Sequence, residues 1–90
     1  MNFKIRHDSE NSRFETRRDG CTAEVEYRLK DGELDIIHTY VPKEIEGQGI
    51  ASALVKAAYD YALANDLKPC ATCAYAVVWL KRHPSYIGQA

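Results

Sequence analysis

The sequence predicts an α+β fold, in which an antiparallel meander of about four strands is followed by a helix, a further strand and a C-terminal helix. Two Asp-Gly pairs divide the first half of the chain into hairpins. Apolar residues alternate with polar ones there, whereas apolar residues recur with the period of a helix in the second half. Because 90 residues support only one small core, residues 1–90 are expected to form a single domain.

The meander follows from the order of strand and turn signals. The first two strands are predicted at Phe3–Arg6 and Asn11–Arg18, and Asp19-Gly20 turns the chain after the second. The next strand buries one face, because its apolar side chains alternate with Thr22, Glu24, Glu26 and Arg28; they are Cys21, Ala23, Val25, Tyr27 and Leu29. Asp31-Gly32 gives the next turn. The strand after it, Leu34–Val41, carries fewer charges, which favours a central position in the sheet.

The second half reads as helix, strand and helix. The first helix is predicted from Gly49 to Asn65, with Asn65 in the left-handed conformation that often ends a helix. Its apolar side is formed by Ile50, Leu54, Ala57, Ala58, Tyr61 and Ala62. A short strand at Leu67–Thr72 then returns through a right-handed crossover, and Ala74–His83 forms a shorter helix that His83-Pro84 stops.

Composition excludes several classes of protein. A net charge of −1 with 28% charged residues lacks the basic excess of a nucleic-acid-binding protein. The chain has no apolar run that could cross a bilayer, and its N-terminus lacks the apolar region of a signal peptide. We therefore expect a cytoplasmic protein with neither a nucleic-acid nor a membrane partner. Its odd number of cysteines, three, fits free thiols in a reducing compartment.

The segment Val41–Ala51, V-P-K-E-I-E-G-Q-G-I-A, carries the clearest functional signal. It joins a predicted strand to a predicted helix through two glycines separated by one residue. Such a turn lets the backbone approach a bulky anion, and the first free N–H groups of the helix add partial positive charge. An ordinary strand-to-helix loop is the simpler interpretation of a lone Gly-x-Gly. The position of this one between a strand and a helix favours a phosphate-bearing ligand.

This turn, together with C-A-Y-A-V-V-W-L-K-R-H-P-S-Y near the end of the chain, resembles the small single-domain members of the GNAT-type N-acetyltransferase superfamily. The resemblance extends over nearly the whole chain. It implies that Gly47 and Gly49 occupy the two glycine positions of the superfamily's Gln/Arg-x-x-Gly-x-Gly/Ala turn, which binds the pyrophosphate of acetyl-coenzyme A. The residues implied to hold the cofactor are Thr39, Tyr40 and Val41 along the strand, and Glu46, Gly47, Gln48, Gly49, Ile50 and Ala51 at the turn.

The resemblance also implies an activity, the transfer of an acetyl group from coenzyme A to an amine. The chain is short for this superfamily, and an open acceptor site suits a macromolecular acceptor such as a lysine on a protein. It equally suits a non-catalytic module that binds acyl-coenzyme A without turning it over.

Two acidic residues depart from the superfamily pattern. Glu44 stands where Gln or Arg is usual, and Glu46 precedes the first glycine, where a basic residue is common. Carboxylates repel a pyrophosphate unless they point outward or pair with Lys43. Lys81 and Arg82 are the nearest compensating cations in the predicted fold. Either could equally be a solvated residue at the C-terminus of its helix, where the dipole favours a cation.

Cys73 is the leading candidate for chemistry, because it stands at the predicted strand-to-helix junction. A helix N-terminus lowers the pKa of a thiol, which favours attack on an acetyl thioester and an acetyl-cysteine intermediate. The alternatives are direct transfer to the amine and an inert buried thiol. Larger relatives often use a tyrosine as general acid. Trp79 takes that position here, so Tyr75 or Tyr86 would have to act as the acid instead. The simpler interpretation of all three rings is packing in the core.

The histidines and the remaining cysteines leave further alternatives open. His38 lies in a predicted central strand and could act as a base near the thioester, although a satisfied core histidine is the commoner case. His7 and His83 read as surface or turn residues. Cys70-Ala-Thr-Cys73 resembles a thiol redox motif or half of a zinc site, but no second Cys-x-x-Cys exists, and Cys21 lies in an early strand. No metal site is therefore predicted.

Overall fold

The computed structural model describes residues 3–87 and confirms the α+β fold. Within this range one sheet has the order β1-β2-β3-β4-β5, and its strands are β1 (Arg6–Asp8), β2 (Arg13–Arg18), β3 (Cys21–Lys30), β4 (Glu33–Tyr40) and β5 (Lys68–Ala71). The helices are α1 (Ile50–Ala64) and α2 (Ala74–Arg82). Neighbouring strands from β1 to β4 are antiparallel, whereas β5 is parallel to β4 and is reached through α1. The predicted meander and crossover are both present.

The two predicted hairpin turns have the backbone that Asp-Gly favours. Asp19 and Gly20 have φ of 54° and 78°, and Asp31 and Gly32 have φ of 53° and 78°. Two successive residues with positive φ give the turn whose twist matches that of the flanking strands. The Asp-Gly pairs therefore set the register of β2 on β3 and of β3 on β4.

The first strand lies later than predicted, at Arg6–Asp8 and not at Phe3–Arg6. A short 3₁₀ turn, Ser9–Asn11, connects it tightly to β2, so pairing with β2 begins next to that turn. Asp8 stabilises the turn by accepting hydrogen bonds from Asn11. Farther out, the Thr16 hydroxyl donates to the carbonyl of Lys4 at 2.7 Å. The segment before β1 is thus held by a side chain and not by a backbone ladder.

A β-bulge in β4 decides which side chains of this strand face the helices. The register pairs Tyr27 with Ile36 but Glu26 with His38, so Ile37 is an additional residue in β4. Beyond the bulge, Val25 lies opposite Thr39, and directly opposed residues share a face. Because Val25 and Ile36 are both fully buried, Thr39 takes the helix-facing side and His38 the opposite one.

Both helices contribute to one hydrophobic core on that side of the sheet. The core includes Ala23, Val25 and Tyr27 of β3, as the alternation predicted, but Leu29 at the end of the strand is 51% exposed. In α2, Trp79 is buried and packs on Tyr59 of α1, with ring centroids 5.7 Å apart. No helix within residues 3–87 is long and apolar enough to cross a membrane.

The end of α1 differs in detail from the prediction. Asn65 is the C-cap, but its φ is −116°, and the left-handed residue is Asp66, with φ of 58°. Asn65 instead uses its side-chain amide to donate to the carbonyl of Tyr61 at 2.8 Å. A side-chain hydrogen bond thus caps the helix, and the left-handed turn that leads to β5 falls one residue later.

Tyr59 fixes the position of β5 on α1, so its hydroxyl should contribute measurably to stability. The side chain is fully buried, and the hydroxyl donates to the carbonyl of Cys70 at 2.6 Å. Tyr59→Phe leaves that buried carbonyl without its partner and should lower the free energy of unfolding by about 1–2 kcal/mol. Urea denaturation measures this change. Tyr61→Phe, which removes a hydroxyl that has no hydrogen bond within residues 3–87, should cost less, and equal losses would contradict the assignment.

Candidate functional site

An open cavity of ≈ 320 Å³ lies between the turn before α1 and the start of α2. Its lining includes Val41 after β4, Tyr75 of α2, and a run of residues from the turn into α1; these are Ile45, Glu46, Gly47, Gly49, Ile50, Ala51 and Ser52. Six of the residues predicted to bind the cofactor are therefore gathered around one cavity. Ile45 and Ser52 were not predicted to lie there. The unpredicted 3₁₀ turn Lys43–Ile45 brings in the first, and the second belongs to the first turn of α1.

The two glycines of the turn both have left-handed backbone conformations. Gly47 has φ of 80° and Gly49 has φ of 81°. A Cβ atom at either position would meet no heavy atom within 4 Å, so a side chain is disfavoured by the backbone angle and not by crowding. The bare backbone leaves open space next to the cavity, which a bulky anion needs for close approach.

The N-terminus of α1 supplies unpaired hydrogen-bond donors at the same place. The first hydrogen bond of the helix runs from the N–H of Ala53 to the carbonyl of Gly49 at 3.1 Å. The N–H groups of Ile50, Ala51 and Ser52 therefore have no partner within the helix, and no side chain caps them at Gly49. These groups carry the positive end of the helix dipole. This end of the cavity is suited to a phosphate.

Cys73 is not part of the cavity lining but is close to a lining residue of α2 in the chain. It precedes α2 as the N-cap, and its Sγ donates a hydrogen bond to Oγ1 of Thr39 at 3.4 Å. Thr39 and Cys73 come two residues before Val41 and Tyr75, both of which line the cavity. The predicted strand-to-helix junction is confirmed, because Cys73 lies between β5 and α2, and the hydrogen bond to Thr39 links this junction to β4.

The surroundings of Cys73 favour its thiolate. Partial burial opposes ionisation, but the pKa of Cys73 is lowered because hydrogen bonds from the Thr39 side chain, the N–H groups of Ala76 and Tyr75, and the Thr39 N–H stabilise the anion. Cys70 shows the opposite behaviour, since burial and nearby Glu33 raise its pKa. The two thiols of the Cys-x-x-Cys segment are therefore not equivalent, and Cys73 is the more readily ionised.

The three aromatic residues considered for the acid role occupy different environments. Trp79 is only 4% exposed, and its Nε1 donates to Oγ of Ser52 at 2.9 Å, which ties α2 to the start of α1. Tyr86 contacts the Trp79 ring and donates to Asp60 at 2.7 Å. Tyr75 is 42% exposed and lines the cavity. Core packing thus describes Trp79, whereas Tyr75 is the residue of the three that lines the cavity.

Other predicted residues are not brought into the cavity lining. His38 and Tyr40 are exposed and share their face of the sheet with Glu26 and Glu24, away from Thr39. The expectation of a core histidine at position 38 is therefore wrong, because the bulge reverses the facing of the strand. Gln48 is half-buried, and Arg82 is exposed in the last turn of α2, about 10 Å along the helix from Tyr75. Glu46 does line the cavity, and it is exposed.

His7 and His83 are not simple surface residues. His7 stacks on Phe14 with ring centroids 4.1 Å apart, and a 2.6 Å hydrogen bond joins its Nε2 to the Tyr27 hydroxyl. His83 stacks on Trp79 at 3.8 Å and donates through Nδ1 to the Trp79 carbonyl. Both rings are half-buried and extend aromatic clusters of the core.

The metal and redox alternatives gain no support from the cysteines. Across residues 3–87 there is no group of three or more His, Cys, Asp or Glu side chains placed to hold a metal ion. Cys70 lies in β5, and only Cys73 adjoins the helix. All three cysteines are half-buried free thiols.

A second, smaller cavity of ≈ 240 Å³ lies at the β1–β2 end of the sheet. It is lined by Lys4, Arg6, Glu15, Thr16 and Arg17. Its cations could attract an anion, but Arg6 already pairs with Glu15 at 2.8 Å. No helix N-terminus is among the lining residues, so this cavity lacks the backbone donors of the first.

Comparison with known proteins assigns the family. Residues 13–89 match the family model of the GCN5-related N-acetyl-transferase. The chain is 36% identical over 85 residues to human Protein NATD1, covering 91% of this chain and 75% of that one, and 36% identical over 86 residues to Protein NATD1 of Xenopus tropicalis, covering 91% and 78%.

A solved structure supports the same assignment. The NMR solution structure of a GCN5-like protein of Staphylococcus aureus, named as a candidate N-acetyltransferase, aligns with a TM-score of 0.73 at 35% identity. The alignment covers 94% of this chain and 84% of that one. Proteins of this family generally use acetyl-coenzyme A to acetylate amines. Sequence and fold agree, and the chain belongs to the GCN5-related N-acetyltransferase family.

Proposed function

We propose that the chain binds acetyl-coenzyme A in the cavity between the glycine turn and α2, and that it transfers the acetyl group to an amine. The observation that carries the proposal is the arrangement of two features along one cavity. Unpaired backbone donors of the α1 N-terminus line the cavity, and the Cys73 thiol, with its lowered pKa, belongs to a residue two positions before Tyr75 in the lining. The backbone donors would bind the pyrophosphate of a coenzyme A thioester, and the thiol would meet its acetyl group.

The pyrophosphate fits the turn at Gly47–Ser52. The N–H groups of Ile50, Ala51 and Ser52 lack partners in the helix, and two left-handed glycines keep side chains out of the approach. Each hydrogen bond from such a donor to a phosphate oxygen contributes roughly 1.5–3 kcal/mol. Gln48 and Arg82, which do not line the cavity, stay predictions as cofactor contacts.

The pantetheine arm would lie beside the unpaired end of β4. Pairing of β4 with β5 ends at Ile36 and Ala71, although β4 continues to Tyr40. From Ile37 onward β4 therefore has no strand on its β5 side within the described residues. Apart from the Thr39 N–H, which interacts with Cys73, its backbone groups on that edge have no neighbouring strand and would be available to the amides of the arm, as predicted for Thr39–Val41.

Two routes would complete the transfer. In the first, the Cys73 thiolate attacks the acetyl carbonyl carbon; a new C–S bond forms, the bond to the coenzyme sulfur breaks, and coenzyme A leaves as a thiolate that takes up a proton. A neutral amine then attacks acetyl-Cys73, forming the amide, releasing the Cys73 thiolate and losing a proton. In the second, the amine attacks the thioester directly, and Tyr75 is the cavity-lining hydroxyl able to protonate the leaving thiolate.

The open cavity indicates the class of the acceptor and not its identity. The cavity is open, and the described chain adds no element that walls it, which suits a large acceptor such as a lysine on a protein. His38 faces away from Thr39 and Cys73, so we do not propose it as the general base. A module that binds acyl-coenzyme A without turnover remains the second candidate, and Glu46 in the lining is the observation that favours weak use of the cofactor.

Loss of the thiol separates the routes. Wild-type protein incubated with acetyl-coenzyme A and a lysine-rich peptide should release free coenzyme A thiol and carry one acetyl group on Cys73 by tandem mass spectrometry. Cys73→Ala should lose the protein-bound acetyl group and lower turnover roughly 100-fold or more, whereas Cys70→Ala should retain both. Unchanged turnover in Cys73→Ala would eliminate the acetyl-cysteine route. Calorimetry that detects no binding of coenzyme A would overturn the proposal and the second candidate together.

Removing the negative charge of Glu46 should strengthen cofactor binding. Glu46 is a lining residue, and Coulomb repulsion between its carboxylate and a pyrophosphate several ångströms away would cost on the order of 0.5–1 kcal/mol in water. Glu46→Gln should therefore lower the Kd for coenzyme A roughly 2- to 5-fold at low ionic strength, and salt should narrow the difference. Glu44→Gln is the matched control, because Glu44 lies outside the lining and should have a smaller effect. Weaker binding by Glu46→Gln would show that the carboxylate contributes a contact instead of repulsion.

A further inference from the structure

The junction of β4 and α2 holds Cys73 by its backbone before any side chain acts. The N–H groups of Thr72 and Cys73 both donate to the carbonyl of Ile36, each at 3.0 Å. Ile36 is the last residue of β4 that pairs with β5, and the bulge begins immediately after it. The backbone of Cys73 is thereby fixed to β4 at a point just before the strand changes its facing.

The bulge then determines which side chain of β4 meets the thiol. With regular alternation from Leu34 and Ile36, position 38 would face the helices and position 39 would face away. The additional residue, Ile37, reverses this order, so Thr39 faces the helices and its hydroxyl reaches Sγ of Cys73. The bulge therefore brings the hydroxyl of Thr39, and not the imidazole of His38, next to the thiol.

We propose that the Thr39 side chain is a positioning residue, which orients Sγ of Cys73 toward the N-terminus of α2 and donates a hydrogen bond to its thiolate. In the neutral state the thiol donates to Oγ1. A hydroxyl both donates and accepts, so on ionisation it turns its proton toward sulfur without moving its oxygen. The orientation of Sγ is therefore the same in both states. The benefit to acetyl transfer rests on the proposed function, but the effect on the thiol can be measured without it.

The charged and titratable groups around Cys73 leave this role to hydrogen bonds. Tyr59 of α1 is bonded to the Cys70 carbonyl, and burial raises its pKa well above the usual range. Asp35 of β4, the nearby anion, accepts from the Thr72 hydroxyl at 2.8 Å and from Arg28 at 3.4 Å. The interactions that lower the pKa of Cys73 are hydrogen bonds and not a neighbouring cation. Removal of one donor should therefore have a visible effect.

The test is the pH dependence of alkylation of Cys73 by iodoacetamide, with tandem mass spectrometry separating its label from those on Cys70 and Cys21. Thr39→Val keeps the β-branched shape but removes the hydroxyl, and it should raise the midpoint for Cys73 by about one pH unit. At a pH well below both midpoints the labelling rate should then fall roughly 10-fold, because the thiolate fraction falls by that factor. Thr39→Ser retains the hydroxyl and should restore the wild-type midpoint. The midpoint for Cys21 should not move in either variant.

Clear outcomes overturn the inference. An unchanged midpoint in Thr39→Val would do so, as would equal shifts in Thr39→Val and Thr39→Ser, since the shape of the side chain and not its hydroxyl would then be responsible. If Thr39→Val fails to fold, Thr39→Ala provides the same comparison with Thr39→Ser. A shifted midpoint in a protein that neither binds coenzyme A nor releases its thiol from acetyl-coenzyme A would support the role of Thr39 while refuting the proposed function.

Discussion

The carbonyl oxygen of Ile36 accepts two backbone hydrogen bonds, and the geometry of the site depends on that junction. It ends the pairing of β4 with β5, directs the chain into α2, and fixes the backbone of Cys73 to the sheet. Together with the hydrogen bond between Cys73 Sγ and Thr39, it holds the thiol in place. Tyr59 supports the junction from α1 by donating to the carbonyl of Cys70 in the same short strand. The catalytic candidate is thus positioned by backbone contacts to a fully buried strand residue.

The N-termini of α1 and α2 supply backbone hydrogen-bond donors in the same way. At α1 and at α2, a helix begins without a side-chain cap, so its first N–H groups remain available. At α1 these donors face open space beside two left-handed glycines, which suits a phosphate. At α2 they face the Cys73 thiol and favour its ionised form. Glu46 is also a lining residue, and its negative charge opposes the binding of a phosphate there.

Much of the fold followed from local signals that tertiary contacts reinforce. The Asp-Gly turns, the alternation in β3 and the helical period after Gly49 each predicted an element that is present. Alternation alone did not predict the bulge at Ile37, and one additional residue reverses the facing of every residue after it in the strand. The adjacent apolar pairs Ile36-Ile37 and Tyr40-Val41, which fit no single period of two, were the available sign. Tyr75 was predicted only as a substitute acid, because helix orientation and not sequence brings it to the cavity.

The location of coenzyme A on the chain tests the central claim most directly. In a titration followed by two-dimensional amide NMR, unacylated coenzyme A should shift the signals of Gly47, Gly49, Ile50 and Ala51 at one end, and of Thr39 and Tyr75 at the other. The amide signals of Lys4, Arg6 and Arg17, beside the smaller cavity, should not shift. Shifts confined to that smaller cavity, or no shifts at saturating ligand, would contradict the account.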